Sequence, residues 1–242
     1  MHTGKNGLKF SQNRGIMAGK LTKREQSMKK YTCILWDLDG TLTLSHLGIY
    51  NCFRYALAKM GKPEPTEEDL RLCVGPPLDW SFETLFGMDK NEAQEAIVYY
   101  RERYDVEGWR ENQPIEGAIA ALEQLHKAGY KMALATSKPM HYATKINEKF
   151  GFSKYVLGEY EPLIPGYEPK KSDVIDKAVC LLGAKKEDCL MVGDRKFDIM
   201  GARTAGVDVA ALDVGYAEAG EFEECPPDYY FSTFDEMLKA LL

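Results

Sequence analysis

The chain has 242 residues, 45% of them hydrophobic and 28% charged, with a formal net charge of -6 at pH 7. That is enough apolar material for one large domain or a domain carrying an insertion, and the acidic balance argues against a nucleic-acid-binding surface. No apolar run approaches the roughly 18 residues that span a bilayer, so no membrane partner is expected. The six cysteines are scattered without a C-x-x-C pair or a histidine at ligand spacing, which reads as reduced thiols in a cytoplasmic setting.

Residues 1–29 are rich in Lys, Gly, Asn, Gln and Ser and show no sustained apolar period. They read as a disordered leader ahead of a natural start near Met28. Gly4, Gly7, Gly15 and Gly19 work against a targeting helix there.

The apolar run 31–36 predicts a buried strand, and it ends on Asp37 and Asp39. Positions i and i+2 of extended backbone point the same way, so both carboxylates face one small volume. Two like charges held that close repel and call for a cation between them. Gly40 and Thr41 add a turn and a hydroxyl. A polar turn after a strand has the same composition, so the stretch gains meaning only from the rest of the chain.

From 47 to 112 the spacing predicts helices alone, over 47–60, from Thr66 onward, over 78–86 and over 90–106. This block is too long for a loop and reads as an inserted helical domain. After 113 strand and helix alternate. Helices are predicted over 116–128, 141–150, 172–182 (with Ser172 as N-cap), 196–204 and 235–242. Strands are predicted over 130–135, 155–157, 189–192, 207–212 and 229–231. The reading is therefore α/β: a Rossmann-like parallel-sheet core formed by 30–46 and 113–242, with an all-helical cap at 47–112. Ligands of such sheets bind at the carboxyl ends of strands. Three strands here end on functional groups: Asp37 and Asp39, Thr136 and Ser137, and Gly193 and Asp194.

Four motifs in this order resemble the haloacid dehalogenase superfamily of hydrolases, and within it the phosphoglycolate-phosphatase-like members with a small helical cap. They are Asp37-Leu38-Asp39-Gly40-Thr41-Leu42, the strand ending in Thr136, a lysine opening a later helix, and Gly193-Asp194-Arg195-Lys196-Phe197-Asp198. The resemblance runs from about residue 30 to the C-terminus. It implies a phosphatase in which Asp37 is the nucleophile and Asp39 the general acid and base. Mg²⁺ would be held by the Asp37 carboxylate, the Asp39 backbone carbonyl and Asp194, with Asp198 orienting the metal's waters. Thr136, the Ser137 backbone N–H and a lysine would bind the phosphoryl oxygens. Lys171 fits the close relatives' Lys-x-acid-Val-Ile pattern and is favoured; Lys170 fits the wider family's Lys-Pro register.

The implied substrate is a small phosphorylated metabolite such as phosphoglycolate, a nucleoside monophosphate, a sugar phosphate or pyrophosphate, met by a monomer or homodimer. A phosphomutase of the same superfamily is the neighbouring alternative. A catalytically silent binding protein is the alternative from another class, and the intact set of motif residues argues against it. Gly75-Pro76-Pro77-Leu78 resembles the cap loop that faces the active site. His46 is either a substrate contact or a solvated turn residue, and Arg195 either an entrance residue or a surface charge. Leu44 stands where relatives often place an acid, which suggests a change at the hinge or in specificity.

Overall fold

A computed structural model describes residues 28–158 and 169–242, so nearly all of the expected leader lies outside the described residues. The central sheet has six parallel strands, β1 (Cys33–Trp36), β4 (Lys131–Leu134), β5 (Val156–Leu157), β6 (Cys189–Gly193), β7 (Asp208–Leu212) and β8 (Tyr229–Phe231). Their order is β5-β4-β1-β6-β7-β8, so the winding reverses at β1. The first strand in the chain is thus central, flanked by β4 on one side and β6 on the other, with Trp36 level with Leu134 and Val192.

Alternation along these strands feeds two apolar layers. Ile34, Trp36, Met132, Leu134, Leu190 and Val192 pack beneath α5 (Ala118–Lys127), α6 (Met140–Lys149) and α10 (Phe234–Leu241). Cys33, Leu35, Ala133, Cys189, Met191 and Val209 face the other way, against α7 (Lys171–Leu181) and α8 (Lys196–Ala205). A sheet covered on both faces explains why its strands are uninterrupted apolar runs in the sequence.

Between β1 and α5 lie α1 (His46–Lys59), α2 (Glu67–Leu72), α3 (Leu78–Trp80) and α4 (Lys90–Val106). They surround a separate core in which Phe53 meets Phe82 at 4.8 Å, Tyr100 at 5.1 Å and Phe86 at 5.8 Å between ring centroids. Asp89 starts α4 by accepting from the Asn91 and Glu92 backbone N–H groups, and the Glu92 carboxylate accepts from the Asp89 N–H in return. That reciprocal cap is why α4 begins where its apolar period begins.

The structure corrects local expectations at three places. The expected helix over 78–86 is a single turn, α3, followed by a wider π turn over 81–85. Ser172 is not the N-cap of α7: Lys170 holds that position, and the Ser172 hydroxyl bonds Asp173 instead. Residues 43–44 and 113–114 form a small antiparallel ribbon, β2 (Thr43–Leu44) with β3 (Gln113–Pro114), through which the chain enters and leaves the helical block. Two-residue strands carry no periodicity, and only their partner makes them visible. Leu44 therefore sits in that ribbon. No described helix is long and apolar enough to cross a membrane.

Candidate active site

The site is built where the sheet reverses. Asp37 leaves the end of β1 with its N–H donating to the Val192 carbonyl at 2.9 Å, which holds it beside the end of β6. Its carboxylate is buried, and Oδ1 accepts from Lys171 Nζ at 2.7 Å. The same ammonium contacts Asp198 Oδ1 at 2.6 Å. Asp198 Oδ2 accepts from the Arg195 N–H at 3.0 Å, so both its oxygens are engaged. Asp194 is fully buried, taking Thr41 Oγ1 at 3.2 Å on one oxygen and the Tyr216 N–H at 2.7 Å on the other.

Close backbone packing makes this possible. Gly40 has φ +90°, and a Cβ there would overlap the Asp194 carboxylate. A Cβ at Gly201 of α8 would overlap the Lys171 side chain, so the bare backbone of α8 is what lets the lysine stem lie between the two helices.

Burial pushes the Asp37 carboxyl up most, the Lys171 ammonium pulls it back, and neighbouring Asp198 raises it again; the net value is about 6. Asp194 is driven well above the carboxylate range by burial and then by Asp198 and Asp37. Burial works against the Lys171 ammonium, but Asp198 and Asp37 outweigh it and the net shift is upward.

Asp37, Asp194 and Asp198 each offer an oxygen within 4.8 Å of the others. Lys171 pairs with Asp37 and Asp198 but not with Asp194, so ionising all three carboxyls needs further positive charge, and a hard divalent cation matches that donor set. Asp39 has a cation of its own, its Oδ2 accepting from Lys138 Nζ at 2.7 Å. Its Oδ1 is buried with no hydrogen-bond partner.

A pH effect on the metal-free protein follows. A folded carboxyl raised from 3.8 to about 6 binds its proton more tightly than the unfolded chain does. Its contribution to stability is full below the lower value and is lost as pH rises through the higher. Denaturant midpoints in chelator should therefore fall as pH rises from about 4 through 6, with Asp194, also raised, extending the fall upward, and a divalent cation such as Mg²⁺ added at high pH should raise them again. A midpoint indifferent to Mg²⁺ at pH 8 would contradict the cation assignment.

Asp37, Asp39, Lys171 and Asp198 open onto a cavity of about 600 Å³ between the strand ends and the helical block. Thr136, Ser137, Lys170 and Lys171 all line it, as do Gly75, Pro76, Pro77 and Leu78. Lys171 is the lysine in contact with Asp37, whereas Lys170 is exposed at the rim. Thr136 is buried, with Oγ1 accepting from the Lys138 N–H at 3.2 Å. Arg195 is not a surface charge: it is nearly buried, donates to Glu221 at 3.0 Å and reaches the Val74 carbonyl at 3.0 Å. His46 is no solvated turn residue either, because its N–H and ring Nδ1 both meet the Tyr216 hydroxyl.

Two participants escape the sequence reading. Lys138 stands in view beside Thr136 and Ser137, but its pairing with Asp39 depends on β4 lying next to β1. Tyr216 contributes a backbone N–H, which no side-chain pattern announces.

Comparison with known proteins gives the family. Residues 34–212 match the family model described as haloacid dehalogenase-like hydrolase. A 5'-nucleotidase of Pseudomonas aeruginosa is 36% identical over 212 residues, covering 88% of this chain and 96% of that protein. The tyrosine-protein kinase PtkA of Mycobacterium tuberculosis is 36% identical over 211 residues, covering 86% of this chain and 72% of PtkA. Among solved structures, a Clostridium difficile protein described as a phosphatase superposes with a TM-score of 0.79 at 34% identity, covering 89% of this chain and all of that one. With its acid-tipped parallel sheet and its helical cap, the chain belongs to the haloacid dehalogenase-like hydrolase family, as a hydrolase of phosphatase type.

Proposed function

We propose that this protein is a Mg²⁺-dependent phosphomonoesterase that works through an aspartyl-phosphate on Asp37. The observation that carries the reading is the division between two neighbouring carboxylates. Asp37 lies with Lys171 and the other acids, while Asp39 is turned to a different cation, Lys138, with one oxygen left unbonded. Groups of one chemical kind in different surroundings take different jobs.

In the first half-reaction an Asp37 oxygen attacks phosphorus, and the bond to the leaving alcohol breaks as Asp39 delivers a proton to it. In the second, Asp39 takes a proton from water as that water attacks the phosphoaspartate; the bond from phosphorus to Asp37 breaks, releasing inorganic phosphate and restoring the Asp37 carboxylate and the protonated Asp39. Lys171 and Thr136, with the Ser137 backbone N–H, offset charge on the phosphoryl oxygens. Mg²⁺, held by Asp37, Asp194 and the Asp39 carbonyl, would supply electrostatic stabilisation of the transferring group, and Asp198 would orient its waters. Residues 47–112 act as a cap that closes over a small phosphorylated metabolite in the cytoplasm and opens to release phosphate. A monomer or homodimer suffices, because every group named comes from one chain.

Phosphate release from p-nitrophenyl phosphate tests the reading. Activity is expected with Mg²⁺, loss in EDTA, and recovery on restoring the ion; full activity in EDTA would remove the metal from the proposal. The relatives' names bring nucleoside 5'-monophosphates and phosphotyrosine into the panel to be screened next.

A further inference from the structure

Charge pairing around the cavity is uneven. Five cationic side chains line it: Arg101, Lys138, Lys170, Lys171 and Arg195. Lys138 is paired with Asp39, Lys171 with Asp37 and Asp198, and Arg195 with Glu221. Among the described residues Arg101 and Lys170 have no carboxylate within ion-pair distance. Arg101 is half-buried on α4, the cap helix that also presents Tyr100 and Tyr104 to the cavity. Asp105, one turn further along, is held by the Tyr142 hydroxyl at 2.6 Å and makes no ion pair with it. The phosphoryl end already has its own cation in Lys171. Among the described residues, then, one guanidinium stands uncompensated in the cap wall of the same cavity, and its planar fork matches a carboxylate or phosphate in two-point contact.

Resting on the phosphatase reading, we infer that Arg101 selects substrates carrying a second negative group beyond the scissile phosphate, with exposed Lys170 adding to the field at the rim. The shared chemistry is a phosphomonoester with a distal oxyanion, either a carboxylate or another phosphate. Phosphomonoesters of neutral alcohols, such as an unsubstituted alkyl or sugar phosphate, lack that contact.

Two matched substrate pairs test the inference on the Mg²⁺-loaded enzyme. One is 2-phosphoglycolate against ethyl phosphate, for a distal carboxylate. The other is adenosine 3',5'-bisphosphate against adenosine 5'-monophosphate, for a distal phosphate. In at least one pair the wild type is expected to favour the doubly anionic member by about tenfold or more in kcat/KM, mainly through KM. Arg101→Ala is expected to collapse that ratio toward unity, and Arg101→Lys to restore part of it, because a point charge keeps the attraction without the fork. A purely structural role would lower both members of a pair equally and leave the ratio intact, which overturns the inference. So would a wild type that prefers the neutral member in both pairs. Phosphate release from p-nitrophenyl phosphate with no dependence of either ratio on Arg101 would sink this inference alone. Absence of any Mg²⁺-dependent phosphate release would sink the phosphatase reading with it.

Discussion

Asp37→Asn is expected to lower kcat for p-nitrophenyl phosphate by about 10⁴-fold or more, the scale seen when a covalent nucleophile is removed. The amide fills nearly the same space but offers no anionic oxygen to phosphorus. The same substitution should raise the stability of the metal-free protein at pH 8. Asp37 is buried beside Asp198, and its raised pKa of about 6 means the fold resists ionising it. Removing the charge leaves Lys171 paired with Asp198 alone. Loss of rate together with a higher denaturation midpoint is the signature of a charge kept for chemistry at a cost in stability. An active Asn variant would remove the nucleophile assignment. An inactive variant with a lower midpoint would instead point to damage in folding.

Lys171→Met carries the second large effect, and it runs through both stability and rate. The apolar stem can still lie against Gly201 of α8, but Asp37 and Asp198 lose their common ammonium. Breaking a buried ion pair from one side costs about 3–5 kcal/mol, because the remaining charge stays desolvated. The deficit should shrink as pH falls, because Asp37 takes up a proton, and without the ammonium that pulls its carboxyl down it does so at a higher pH than in the wild type. Mg²⁺ should return part of the stability, since a cation again faces the carboxylates. It should not return the rate, which is expected to stay at least about 10²-fold down for want of a donor to the phosphoryl oxygens. Lys170→Met, at an exposed position, should change stability by less than about 0.5 kcal/mol. Equal effects from the two lysines would erase the distinction drawn between them.

That distinction marks a limit of the linear sequence. Lys170 and Lys171 are neighbours of one residue type, and both fit a pattern. What separates them is rotation about a helix axis: at the start of α7 one ammonium turns inward to Asp37 and the other to solvent. The same limit applies to Lys138, which sits in plain view after the second core strand. Its partner is 99 residues away, and only the parallel pairing of β4 with β1 brings Asp39 within 2.7 Å. Strands buried on both faces are legible because such a strand needs a short, continuous apolar run, and turn residues mark where each run stops. The ribbon of β2 with β3 is not legible, because two residues have no period. Ser172 has the residue type of a cap, but its hydroxyl finds a closer partner in the carboxylate of Asp173.

By itself the amino-acid sequence determined the alternation of strand and helix, the helical block after the first strand, and the acids and hydroxyls at three strand ends. Those features rest on local periodicity and on residue type, which travel with the chain whatever it folds against. Tertiary structure alone decided which groups share a volume. Reversal of the winding at β1 gathers Asp37, Asp194, Asp198 and Lys171 into one buried cluster and sends Asp39 to Lys138. It also leaves Arg101 facing the cavity from the cap without a carboxylate of its own among the described residues. Charge compensation depends on distances between residues far apart in sequence, and packing of the sheet and cap sets those distances.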